Sequence, residues 1–148
     1  MSASKVNREF VSFYLAGQHL GIPVEDVQEV LPSQPVASVP LAPKVVAGLL
    51  NLRGQIVTAI SLRERLGISS QPGLAEGMNI VVSEHEELFS LQVDSVGDVI
   101  AVEEELFAPP PSTLESKWKE CCSGVYRLKE TLLIVMNLKA ILSVSENS

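Results

Sequence analysis

Apolar and polar positions alternate with a period of two along most of the chain. At 9–15, Phe10, Ser12 and Tyr14 alternate with Val11, Phe13 and Leu15, the pattern of a strand whose successive side chains face opposite ways. Gly17 marks a turn, and 19–23 predicts a second short strand. Residues 24–31 carry valines at helical spacing between Pro23 and Pro32, so one helical turn is expected at 24–26, then a strand through Leu31. Four prolines (Pro32, Pro35, Pro40 and Pro43) leave room for a short strand near 36–39 and a short helix at 44–47. The runs Leu49–Leu52 and Ile56–Ile60 predict a hairpin with Arg53 and Gly54 at its tip, the glycine supplying positive φ. A helical turn at 62–66 ends at Gly67.

Further along, 68–77 reads as a loop, 79–93 as a second hairpin turning near 84–86, and 96–103 as a strand. The three prolines at 109–111 make 107–118 irregular. Residues 124–138 predict a third hairpin turning at 129–130, and Asn137 is placed to cap a short helix at 138–142. About ten short strands at ten-residue intervals imply a barrel or sandwich architecture. No clean sequence repeat is visible. Residues 8–143 are expected to form one domain, with polar, flexible tails at 1–7 and 144–148.

Composition narrows the function. The 148 residues are 46% hydrophobic and 20% charged, a globular balance. The net charge of -7 comes without a basic patch among the 11 Lys and Arg, which argues against a nucleic-acid partner. No apolar run is long enough to span a bilayer, and MSASKVNREF lacks the apolar core of a signal peptide, so a cytoplasmic protein without membrane insertion is expected.

Candidate chemistry is sparse. Cys121 and Cys122 are adjacent, which disfavours a disulfide, and with two distant histidines they make no zinc site. They read as reduced thiols, one in the core and one near the surface. His19 and His85 read as solvent-facing turn residues, Glu103–Glu105 as a solvated acidic face, and Trp118 as either a binding anchor or a lid on the edge of the core. An enzyme reading would have to rest on Cys121 or the acidic run, and no base, orienting group or oxyanion donor accompanies either. The expectation is a protein without catalysis and without cofactor or metal.

Five stretches then fall into one pattern: FVSFYL (10–15), GIPVEDVQEV (21–30), GLLNLRGQIV (48–57), VDSVGDV (93–99) and LLIVMNL (132–138). In this order they resemble the CheW family of chemotaxis coupling proteins, whose N-L-R-G signature is matched at 51–54. The resemblance implies a mainly β fold: two small five-stranded SH3-like β-barrels packed side by side, with short helical segments and a hydrophobic groove between them. It implies an adaptor joining a CheA-type histidine kinase, through its regulatory domain, to the cytoplasmic tips of methyl-accepting chemotaxis receptors, recruited to membrane-associated receptor arrays.

The same resemblance makes Arg53 and Glu29 partner-binding positions and places Val24, Val27 and Val99 along the receptor groove. Asn51 reads as a structural residue of the hairpin. The chain departs from the family pattern at Thr58, Ala59, Ser61 and Ala47, where a proline, a larger apolar residue, an aspartate and a lysine are common. These departures keep open a scaffold of a non-flagellar pathway, for pili or surface attachment, or a kinase antagonist.

Overall fold

A computed structural model describes residues 7–68 and 77–143. β1 (Asn7–Leu15) and β2 (Gln18–Pro23) form a hairpin, and a 3-10 turn at Val24–Asp26 leads into β3 (Val27–Pro32). β4 (Val46–Leu52) and β5 (Gln55–Ser61) form the next hairpin, followed by α1 (Leu62–Arg65). β6 (Met78–Glu84) pairs with β7 (Glu87–Val93), and β8 (Ser95–Glu103) follows. After α2 (Ser116–Cys121), β9 (Cys122–Arg127) and β10 (Leu132–Met136) lead to α3 (Leu138–Leu142).

The strands form two five-stranded sheets, β8-β1-β2-β10-β9 in a first lobe and β3-β6-β7-β5-β4 in a second. Each closes on itself through the chain beyond its edge strand. Past β3, Ala37 pairs with Leu49 of β4 by two hydrogen bonds of 2.8 Å; past β8, Ala108 pairs with Val125 of β9 at 2.8 and 2.9 Å. This closure decides for barrels over a sandwich, and it removes the exposed edges that an open sheet would present.

The lobes are built by exchange. The β1–β2 hairpin joins β8–β10, while the β6–β7 hairpin joins β3–β5. A repeat hidden in the sequence follows. Gly48 and Gly124, Leu50 and Tyr126, Val57 and Leu133, Ala59 and Val135, and Ser61 and Asn137 each lie 76 positions apart. The glycines face the two closures, the apolar pairs fill the small core of each lobe, and Ser61 and Asn137 cap α1 and α3.

The largest cluster belongs to neither lobe alone. It joins Phe13, Leu15, Leu20 and Ile22 of the first sheet to Ile60, Ile80, Val82 and Leu91 of the second. Burying this shared apolar surface is what holds the barrels side by side.

Several expectations shift. The strand expected near 36–39 is reduced to the bridge at Ala37, and the helix expected at 44–47 is absent because β4 already begins at Val46. The irregular stretch 107–118 ends inside α2, and of the two readings of Trp118 the structure bears out the one at the core, since the ring packs in the shared cluster. Cys121 and Cys122 are both buried, not one inside and one near the surface. His19 is not in a loop: it lies in β2, half-buried, with its ring stacked on Tyr14 at 4.7 Å. Most of the loop expected at 68–77 and nearly all of both tails lie outside the described residues.

Candidate functional site

Arg53 and Gly54 form the two-residue turn between β4 and β5, with φ of 52° and 89°. Two positive φ values fit the strand twist, and asparagine or glycine is the usual first residue. A non-glycine residue in this region is sterically disfavoured, so turn chemistry does not explain an arginine here. Its side chain does: both terminal nitrogens of the guanidinium donate to the carboxylate of Glu29 on β3, one of them at 3.1 Å. The fork matches a carboxylate's two oxygens. Arg53 is 68% exposed, and the hydrogen bond it donates to Glu29 raises its pKa further, so the group stays charged. Asn51 Oδ1 accepts from the Gly54 amide at 2.8 Å and fixes the turn, as its structural reading expected.

The structure thus brings Glu29 and Arg53 together across 24 residues. The valines are placed differently. Val24 lies half-buried in the 3-10 turn where the chain crosses from β2 to β3, a turn that runs beside β1 and β6. Val27 packs against the shared core. Val99 sits on β8, opposite Val11, and is 54% exposed. Val30 on β3, not singled out from sequence, is also exposed; it stands at the place in its hairpin-plus-strand unit that Val99 holds 69 positions later.

A second ion pair was also missed. Arg63 of α1 holds Asp94, at the crossover from β7 to β8, by a fork with distances of 3.1 and 2.7 Å. Asp94 also accepts from the Ala16 amide at 2.9 Å, while its own amide donates to Tyr14 O. One carboxylate therefore ties α1 to the β1–β2 turn. The Arg63 hydrogen bond is the main cause that lowers the Asp94 pKa below its ordinary 3.8, against desolvation, which raises it. A carboxylate depressed in the folded state stabilises fully above its unfolded value and loses that contribution as pH falls through its folded value. Stability is thus expected to fall below about pH 4, where an unfolded carboxylate takes up its proton, and Asp94→Asn should flatten this acid limb in urea melts across pH. An unchanged limb in the variant would remove Asp94 as its source.

Both thiols are buried, and burial pushes Cys121 and Cys122 upward, opposite to the shift of an activated cysteine. Glu104 and Glu105 are exposed, and no metal-ligating cluster occurs among the described residues. No helix among them is long and apolar enough to cross a membrane.

What the fold presents is an exposed charged fork on a pair of joined β-barrels, and its class is that of a mainly β, two-barrel protein. Comparison with known proteins makes the class particular. The family model described as "CheW-like domain" matches residues 9–146, and the chain belongs to the CheW family. It is 30% identical to the chemotaxis protein CheW of Klebsiella aerogenes, over 99% of this chain and 88% of that one. It is 25% identical to a probable CheW of Rhizobium etli, over 99% and 94%. The scaffolding protein TtCheW from Thermoanaerobacter tengcongensis superposes with a TM-score of 0.84 at 28% identity, covering 94% of each chain. The chain is a scaffolding and coupling protein of chemotaxis signalling complexes.

Proposed function

We propose that this protein links the cytoplasmic tips of methyl-accepting chemotaxis receptors to the regulatory domain of a CheA-type histidine kinase, within membrane-associated receptor arrays. The observation that carries this reading is the exposed Arg53–Glu29 fork. An arginine held in a disfavoured turn conformation and clamped by a neighbouring carboxylate is pre-organised for a partner, which lowers the ordering cost of binding. Val24, Val27 and Val99 would supply apolar contact to a receptor helical hairpin in a groove between the lobes, and the charged fork would set orientation at its rim. Residues 8–143 would act as one unit, since neither lobe is contiguous in the chain. Tethering kinase and receptor raises their effective concentration, so modest contacts suffice.

The departures do not favour another pathway. Ser61, where the family often has aspartate, still accepts from the Glu64 amide at 3.3 Å and caps α1.

The test is kinase autophosphorylation with receptor-containing membranes. Activity is expected to rise on adding the protein and to fall several-fold with Arg53→Ala or Glu29→Ala, while the urea midpoints of both variants stay near wild type, as for an exposed ion pair. Full coupling by both variants would remove the fork from the interface. Kinase binding with phosphorylation unchanged or lowered would replace coupling with antagonism or a different array.

A further inference from the structure

The repeat relating the lobes extends to the outer face of each barrel, and there the two differ. In the first lobe the parallel strands β10 and β2 pair Ile134 with Leu20. In the second, β5 and β7 pair Thr58 with Phe89, the same two positions offset by 76 and 69 residues. Leu20 is fully buried and Ile134 is 7% exposed. Both belong to the cluster that contains Trp118 of α2 and packs Leu114 just before it. Lys117 of α2 also lies against Gly67, just beyond α1.

Nothing described occupies the matching place in the second lobe. Thr58 and Phe89 are only half-buried there and floor a cavity of about 450 Å³, walled by Val46, Ile60 and Leu142. Ser143, 76 positions after Gly67, stands beside it. Two short linkers account for the difference. The chain from Ala108 to β9 is long enough to include α2, whereas the chain from Ala37 to β4 has only eight intervening residues and forms no helix.

We propose that this cavity is a docking site for a cationic amphipathic segment of a partner protein, seated as α2 is seated on the first lobe. The internal copy defines the geometry: a short helix carrying a large apolar side chain, like Trp118, entered through an apolar residue just before it, like Leu114, with lysines beside them, like Lys117 and Lys119. Charge defines the polarity. Glu84 and Glu87 stand on the rim against Lys139 and His85, and Glu84 is near enough to Asp26 for their charges to interact, with Glu25 beside it. A basic segment is attracted to this edge and an acidic one repelled. The α2 of a second copy is not free to serve, because its Trp118 is already buried. The cavity shares no residue with the Glu29–Arg53 fork, so the proposal stands apart from the coupling function.

The probe is a capped peptide with the sequence of residues 112–120 carrying Glu115→Gln and Glu120→Gln, titrated to millimolar concentration into the isotope-labelled full chain and followed by amide chemical shifts. Saturable shifts at Thr58, Phe89 and Leu142 are expected. Binding should weaken roughly tenfold or more in Glu87→Lys, which reverses an exposed rim charge, and in Thr58→Trp, which fills the cavity, as loss of a buried anchor or a rim charge pair does. Arg53→Ala should bind as wild type does. The proposal is overturned by shifts that are absent or lie elsewhere, or by both cavity variants binding normally. It is also overturned by binding that appears only when residues 144–148 are removed, which would make the chain's own end the occupant. Shifts at these residues that depend on protein concentration without peptide would make the occupant a second copy.

Discussion

Gly124→Ala is expected to destabilise the protein by about 2–4 kcal/mol, the range for side chains forced into filled space, since the conflict here is partly with backbone. A Cβ at Gly124 would overlap the Ala108 carbonyl and the Phe107 ring. The carbonyl cannot step aside, because it accepts the Val125 amide at the seam of the first barrel, and the Phe107 ring packs tilted against Tyr126. Gly48→Ala should cost as much, because its Cβ would overlap the Ala37 carbonyl at the other seam and its φ of 155° disfavours any side chain. Gly17→Ala is the control. Its φ of 79° carries a penalty, but nothing lies within 4 Å of the added carbon, so the cost should be about 1 kcal/mol. Urea midpoints at unchanged slope measure the three. Equal shifts for all of them would mean that the seams tolerate a Cβ and are not closed as described.

Arg65→Met is the second large loss, about 2–3 kcal/mol, the range for charged hydrogen bonds to partly buried groups. Arg65 is 13% exposed and reaches from α1 of the second lobe to the end of α3, donating to Ala140 O at 2.9 Å and Ile141 O at 3.2 Å. A helix C-terminus has carbonyls without partners and a negative dipole end, and a guanidinium satisfies both. Methionine keeps the apolar stem and removes only the fork. Faster hydrogen exchange of the α3 amides should accompany the lowered midpoint. If exchange accelerates instead throughout both lobes, Arg65 supports the shared core rather than α3 in particular.

Much of the site was legible along the chain because its signals are local. The 51–54 turn follows from glycine's access to positive φ and from an asparagine that bonds the backbone three residues on. The 3-10 turn after Pro23 and the Asn137 cap, which accepts from the Ala140 amide at 3.2 Å, follow from short-range rules in the same way. Signature motifs picked out Glu29 and Arg53, but their ion pair belongs to the pairing of β3 with the rest of its sheet, which no local rule supplies. Asp94 lies in the matched stretch 93–99, and nothing in that stretch names Arg63, 31 residues earlier, as its partner.

Sequence by itself determined the strands, their turns and the family. Alternation with a period of two states which side chains of a strand face alike, and turn residues state where the chain reverses. Only the tertiary structure decided which strand lies beside which. The pairing of Leu20 with Ile134, the exchange of hairpins between lobes and the 76-residue repeat join segments far apart in the chain, where the apolar pattern is the same for every candidate neighbour. The repeat survives in backbone geometry, through two seam glycines and two helix caps, while the core residues at matching positions have diverged as far as Leu50 and Tyr126 or Ala59 and Val135. A lobe interior fixes total volume and apolarity rather than identity, so the symmetry that shapes the molecule leaves only a faint trace in its sequence.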